Sequence, residues 1–247
     1  MGFWRFMGLE RMGIYRSLAL DEIALDSVSN GGDPIIRFWL WDHDSACIGR
    51  FQNINDEIDL YYAYKNSISI TRRGSGGGAV YNGKNEELVY SIISKNPNPY
   101  ENMPNSFEQI CNRISKGLSK MGIFSEFTRP NIVAADGRKI SGNSKWVRKG
   151  ASLQHGTILY APDRERMENV LNLRKSIDGD GVRSVVMPVT GIKELCDADI
   201  HTAYHAICSC VLDGMDYSES DWTVDEINAS ERLIEEKYRN REWIFSR

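Results

Sequence analysis

Apolar positions along the chain switch between two periods, and the switches mark out its elements. Between residues 15 and 28, Leu20, Ile23, Ala24 and Val28 recur at the spacing of one helical face. Two runs rich in β-branched and aromatic residues, 34–41 and 46–51, predict strands. A short helix is expected over 59–65, then strands at 67–71, 79–81 and 88–94. Phe107, Ile110, Cys111, Ile114, Leu118 and Met121 return to helical spacing, behind a Ser106/Gln109 capping-box signal and ahead of Gly122 as terminator. Asp136-Gly137, between runs 132–134 and 139–141, predicts a tight hairpin; Lys149-Gly150 closes another that leads into a strand over 151–160. The last third reads as helices over 163–173, 198–212 and 224–238, the last behind a Thr223/Glu226 capping box. Hairpin-linked strands followed by packed helices predict an α+β fold with a mixed, largely antiparallel sheet flanked by helices, not a doubly wound parallel sheet.

Composition narrows this picture without redirecting it. The 247 residues suit one domain, 1–247, able to bury a sizeable core. A net charge of −4 argues against a general nucleic-acid binder. No apolar run approaches the ~20 residues that a membrane-spanning helix needs. The N-terminus lacks the apolar core and cleavage site of a signal peptide, and Phe6 stands where a myristoylation signal wants Ser or Thr. Cys47, Cys111, Cys196, Cys208 and Cys210 are odd in number and form no C-x-x-C pair, so they read as reduced thiols of a cytoplasmic protein. No nucleic-acid or membrane partner is expected.

Three segments carry candidate chemistry. The first, RRGSGGGAVY from Arg72 to Tyr81, lies between two predicted strands. Gly76, Gly77 and Gly78 remove side chains, so main-chain N–H groups can close on phosphate oxygens while Arg72 and Arg73 add positive charge. It is neither a Walker loop nor a dinucleotide fingerprint, and glycines alone would read as a mobile hairpin loop. The second, NIVAADGRKISGNSK from Asn131 to Lys145, contains Lys139; alternation places Lys139 and Ser141 opposite Ile140, facing either a cleft or water. In isolation an exposed, solvated lysine is the simpler reading. The third, QHGTILY from Gln154 to Tyr160, offers His155, read as a structural histidine, either a satisfied core residue or one that orients a neighbour by hydrogen bonding, in preference to a catalytic one. Lys145, Arg148 and Lys149 read as a basic lip that could guide an acidic partner.

Taken in register, these segments resemble the lipoate–protein ligase A family. RRGSGGGAVY resembles its RR-x-(S/T)-GGGAVY loop, GRKISGNSK its G-(R/K)-K-(I/V)-(S/M)-G strand, and QHGTILY its HHGTLLL strand. SLALDEIAL, PIIRFWLWDHDSACIGRFQN and the ending EEKYRNREWIFSR agree, so the similarity spans nearly the whole chain. The resemblance implies the α+β catalytic domain shared with biotin protein ligases. It also implies a two-step reaction. Lipoate and ATP, with Mg2+, give lipoyl-AMP, and a lysine of an acceptor lipoyl domain then takes the acyl group. By position, Arg73, Gly76, Gly77, Gly78, Ala79, Val80 and Tyr81 match the nucleotide-binding loop, Lys139 the lysine touching acyl carbonyl and phosphate, and Asn131 a residue beside the adenylate. Implied acceptors are 2-oxoacid dehydrogenase acyltransferase subunits and the glycine cleavage H protein.

The chain also departs from the pattern. Asn82-Gly83 stands where relatives carry His-Asp, and Met187 to Thr190 where they tend to show V-T-N. It stops where the family's large domain stops, which implies a separate accessory subunit, transfer from preformed lipoyl-AMP, or both steps by this chain alone; the first is favoured. The rivals are an octanoyltransferase of the same fold and a non-catalytic lipoyl-adenylate binder. The cysteine-dependent octanoyltransferases carry their nucleophile just upstream of the lysine strand, where this chain reads SEFTRPNIV without a cysteine.

Overall fold

The computed structural model describes residues 3–96, 106–172, 184 and 187–246. In chain order the elements are β1 (Trp4–Met12), α1 (Ile14–Ser29), β2 (Ile35–Trp41), β3 (Ser45–Ile48), α2 (Ile54–Glu57), α3 (Leu60–Lys65), β4 (Ser69–Arg72), β5 (Val80–Asn82) and β6 (Glu87–Lys95). Then come α4 (Ser106–Ser119), β7 (Glu126–Thr128), β8 (Ile132–Ala135), β9 (Arg138–Arg148), β10 (Ala151–Leu159), α5 (Arg164–Val170), α6 (Ile192–Leu195), α7 (Ile200–Val211), β11 (Tyr217–Glu219) and α8 (Val224–Leu233). A π-helical turn (Ile234–Tyr238) and α9 (Arg241–Ile244) close the chain.

Eight strands form one sheet in the order β11-β1-β2-β6-β10-β9-β8-β7; β4-β3-β5 form a second. Pairing is parallel at β11/β1, β1/β2 and β3/β4, and antiparallel in the other ladders. The expected mixed, largely antiparallel α+β arrangement is therefore what forms. One face of the large sheet packs on α4 and α7, around Phe38, Tyr90, Ile114, Ile140 and Ile207. The other carries α1, whose Leu20, Ala24, Leu25 and Val28 are fully buried. Burying each such Leu or Val contributes about 1.5–3 kcal/mol, so this contact fixes the helix against the strands.

Local chemistry explains the boundaries. Asp136 and Gly137 both take positive φ, 49° and 70°, as a two-residue hairpin turn requires; Lys149 and Gly150 repeat this at 46° and 77°. The Thr223/Glu226 capping box forms in full. Gly122, at φ 79°, stops α4, though the helix ends at Ser119 rather than Met121. The helix expected over 163–173 stops at Val170, because Leu171 is already extended; Leu173 and the side chain of Ser106 lie outside the described residues.

β1 has no counterpart in the sequence reading. Gly8 sits at φ 67° and the register against β2 shifts between Phe6 and Leu9, so a bulge interrupts the alternation by which a strand is recognised.

Candidate active site

The register of the large sheet lays side chains in rows across four strands. Trp39, Val89, Thr157 and Gly142 are successive partners on β2, β6, β10 and β9. All four line a cavity of about 560 Å³. Ile14 and Leu18 of α1, Trp41, Cys47 of β3 and Val80 of β5 complete an apolar chamber over this floor. Gly77, Gly78, Ala79, Arg129, Asn131 and Lys139 line the same cavity. One concavity thus joins an apolar slot to a cluster of N–H donors and cations.

The glycine loop is held in place by its neighbours. Arg50 N donates to Ser75 O at 2.9 Å, and Arg73 N to Ile48 O at 3.0 Å. Ser144 Oγ donates to Gly76 O at 2.8 Å. A Cβ on Gly49 would lie 2.0 Å from Gly77 O, so only glycine lets these two backbone segments touch. Ser184 rests on the loop: its Oγ accepts from Ala79 N at 2.8 Å and donates to Glu57 at 2.5 Å. An oxygen therefore already sits at a donor expected to meet phosphate.

Arg72 and Arg73 have unlike roles. Arg72 is fully buried and donates to the carbonyls of Gly49, Arg50, Gln52, Trp243 and Ile244, away from the cavity. Arg73 lines the cavity, but its guanidinium reaches Gly76 O at 2.8 Å, Gly78 O at 2.7 Å, Cys47 O at 3.4 Å and Ser75 Oγ at 3.2 Å. Its charge is engaged by the loop's own carbonyls. Gly76 and Tyr81 are not among the lining residues: alternation along β5 turns Val80 to the cavity and Tyr81 into a separate core.

Lys139 faces the cleft and not bulk water. The pairing of β8 with β9 shifts register between Val133 and Ala134, so Ile140 is an extra residue on β9. That bulge replaces the simple alternation: Lys139 shares its face with Gly142, not with buried Ser141. A Cβ on Gly142 would meet Lys139 Cε and Nζ at 2.5 Å each, so the glycine makes room for the ammonium. Burial lowers the Lys139 pKa, Glu87 opposes this, and Arg73 adds to it. Asn131 is anchored through its Nδ2 to Asn143 O.

Glu87 lies behind Trp41, whose Nε1 donates to it at 2.5 Å. Burial pushes its carboxyl up to about 8. With the folded value raised, the stability it contributes is complete below the ordinary carboxylate range and is lost as pH rises through about 8. Glu87→Gln keeps an acceptor for Trp41 but cannot ionise. Its melting temperature relative to the parent is expected to rise between about pH 5 and about pH 9; equal differences at both ends would contradict the assignment.

The remaining expectations divide. His155 takes a hydrogen-bonded structural place, its Nδ1 3.0 Å from Asp21 and its Nε2 2.7 Å from Ser75 Oγ. The proposed basic lip is weakened, because Arg148 pairs with Glu22 and Asp26 of α1. Cys47, Arg129, Ser144, Thr157 and Ser184 were missed. Period-two spacing in FWLW could have drawn attention to Trp39 and Trp41; nothing local marked Ser184.

Comparison with known proteins agrees with this geometry. Residues 13–211 match the model of the lipoyl protein ligase A/B catalytic domain. A bi-partite lipoate protein ligase from Thermoplasma acidophilum, described with its E2 lipoyl domain, superimposes with a TM-score of 0.84 at 27% identity, over 99% of this chain and 97% of that one. A crystal structure of lipoate-protein ligase A bound with ATP gives 0.84 at 26% identity, over 98% of both chains. The octanoyltransferase LipM of Macrococcus caseolyticus is 27% identical over 98% of each sequence. The chain belongs to the lipoyl protein ligase A/B catalytic-domain family.

Proposed function

We propose that this chain is a lipoate–protein ligase that forms lipoyl-AMP, passes the lipoyl group to a lysine of a lipoyl-domain acceptor, or does both. The observation that carries this reading is that one cavity is lined both by apolar side chains of α1, β2, β3 and β5 and by Gly77, Gly78, Ala79, Arg73 and Lys139. In the first step a carboxylate oxygen of lipoate attacks the α-phosphorus of ATP and the bond to pyrophosphate breaks, ATP entering with Mg2+. In the second, the acceptor's ε-amine attacks the acyl carbon, the bond to AMP breaks, and the amine gives up a proton as the amide forms.

Lys139 is the catalytic residue of this proposal: its ammonium neutralises charge on the phosphate as the acyl–oxygen bond breaks. Gly77, Gly78, Ala79 and Val80 supply backbone to the nucleotide end, Asn131 flanks it, and Gly76, Arg73 and Tyr81 hold the loop's shape. A separate accessory subunit assists adenylation, by likeness to the bi-partite ligase. The expected acceptors are 2-oxoacid dehydrogenase acyltransferase subunits and the glycine cleavage H protein, in the cytoplasm.

The likeness to LipM favours a second reading, octanoyl transfer through a cysteine. Cys47 lines the cavity, but burial raises its pKa, opposing the thiolate such chemistry needs. The test is an acceptor-modification assay with three donors: lipoate with ATP and magnesium, preformed lipoyl-AMP, and octanoyl-acyl carrier protein. Modification from either of the first two is expected. Modification from octanoyl-acyl carrier protein alone would overturn the ligase reading.

A further inference from the structure

A second row crosses the sheet beside the first, and it is polar; its His155 and Ser144 also line the cavity. Arg37, Ser91, His155 and Ser144 are successive partners on β2, β6, β10 and β9. Asp21 of α1, 1% exposed, sits over this row. Its Oδ1 accepts from Arg37 at 3.1 Å and Ser91 Oγ at 2.7 Å, and its Oδ2 lies 3.0 Å from His155 Nδ1.

These partners fix the sense of the bonds to Asp21. A carboxylate paired with arginine only accepts, so His155 carries its proton on Nδ1. In the neutral imidazole Nε2 then accepts from the Ser75 hydroxyl, 2.7 Å away. Ser75 Oγ in turn accepts from Arg73 Nε at 3.2 Å, and Arg73 donates onward to Gly76 O and Gly78 O. In a trans peptide the C=O of one residue and the N–H of the next point in opposite directions. Drawing the Gly76 and Gly78 carbonyls back onto Arg73 therefore turns the Gly77 and Ala79 N–H groups outward, where Ser184 Oγ receives that of Ala79.

The order Asp–His–Ser invites comparison with a nucleophilic triad, but the geometry opposes it. Ser75 is 1% exposed and does not line the cavity, and one of its lone pairs is held by Arg73.

We propose that Asp21, His155 and Ser75 form a positioning relay that sets Arg73, and through it presents the glycine loop's N–H groups to the phosphate of an acyl-adenylate. The inference rests on the ligase reading only for its ligand; the ordering of the loop stands apart from it.

The test compares Ser75→Ala, His155→Leu and His155→Gln. Glutamine offers one donor and one acceptor on a single amide, matching the polarity of the neutral imidazole, but it cannot shuttle a proton. Two measurements are made: hydrogen exchange of the 74–81 amides in the ligand-free protein, and affinity for a non-hydrolysable acyl-sulfamoyl adenosine set against kcat at saturation. Ser75→Ala and His155→Leu are expected to exchange these amides about tenfold faster and to bind the analogue about tenfold more weakly, kcat falling far less. His155→Gln should recover most of both losses. Unchanged loop exchange in all three variants would overturn the relay. So would a His155→Gln variant as slow as His155→Leu with affinity intact, which would make His155 an acid–base group, or an acyl group trapped on Ser75. If the parent binds no analogue yet its exchange responds as described, the ligase reading fails and the relay survives.

Discussion

Replacing Lys139 with methionine is expected to slow acyl transfer from preformed lipoyl-AMP by about 10²–10³-fold, the usual loss when one preorganised charge-stabilising group is removed. The variant should stay folded. Among the described residues no hydrogen bond from Nζ is seen, and methionine preserves the stem that packs over Gly142. Removing a partly buried cation also lifts a desolvation cost. Arginine is no substitute, because the ammonium fits only where Gly142 has no Cβ and a guanidinium is wider. The pH profile supplies a second signature. A lowered pKa means that the cation is lost at lower pH than from a free lysine, so the alkaline limb of adenylate binding should fall before the ordinary lysine range is reached. Calorimetry across pH with a non-hydrolysable adenylate reads that limb, and its disappearance in Lys139→Met would assign it. Normal gel-shift of an acceptor domain by the variant would remove Lys139 from the mechanism.

The sequence made Lys139 legible as a candidate but not its surroundings. Its hairpin was readable because Asp136-Gly137 obeys turn chemistry that acts within a few residues. The bulge at Ile140 was not, because it depends on how β8 and β9 pair over their length; simple alternation therefore put Ser141, and not Gly142, beside the lysine. The same division runs through the fold. α1, the α8 capping box and the two tight hairpins are local and appear as expected. β1 depends on parallel partners at both its edges, β11 from the far end of the chain and β2, and its own glycine bulge hides its period. The π-helical turn follows from long-range packing too: Tyr238 is drawn to Glu22, 216 residues away, and Thr71 bonds its carbonyl. Motif resemblance located the glycine loop, yet gave no sign that Arg73 is occupied by the loop's own carbonyls.

Arg72 shows most sharply that neighbours in a motif need not share a task. Read as a pair, Arg72 and Arg73 look like twin charges beside a phosphate. Alternation on β4 and the loop that follows separates them: Arg72 points to the C-terminal segment, where its guanidinium gathers carbonyls of residues 49, 50, 52, 243 and 244. Trp243 Nε1 closes the arrangement by donating to Arg72 O at 2.7 Å. Arg72→Met fills similar volume but leaves several buried acceptors unpaired, each costing about 1–3 kcal/mol when water cannot reach it. A total loss of about 3–5 kcal/mol is expected, allowing for partial rehydration, and chemical denaturation would measure it. Arg72→Lys should recover only part, since one ammonium cannot span carbonyls on two separate segments. Because the loss acts by freeing α9 and the 49–52 turn, proteolysis near residue 240 should accelerate in parallel with the fall in stability. An Arg72→Met protein of parental stability that had lost only adenylate affinity would instead return this arginine to the binding site.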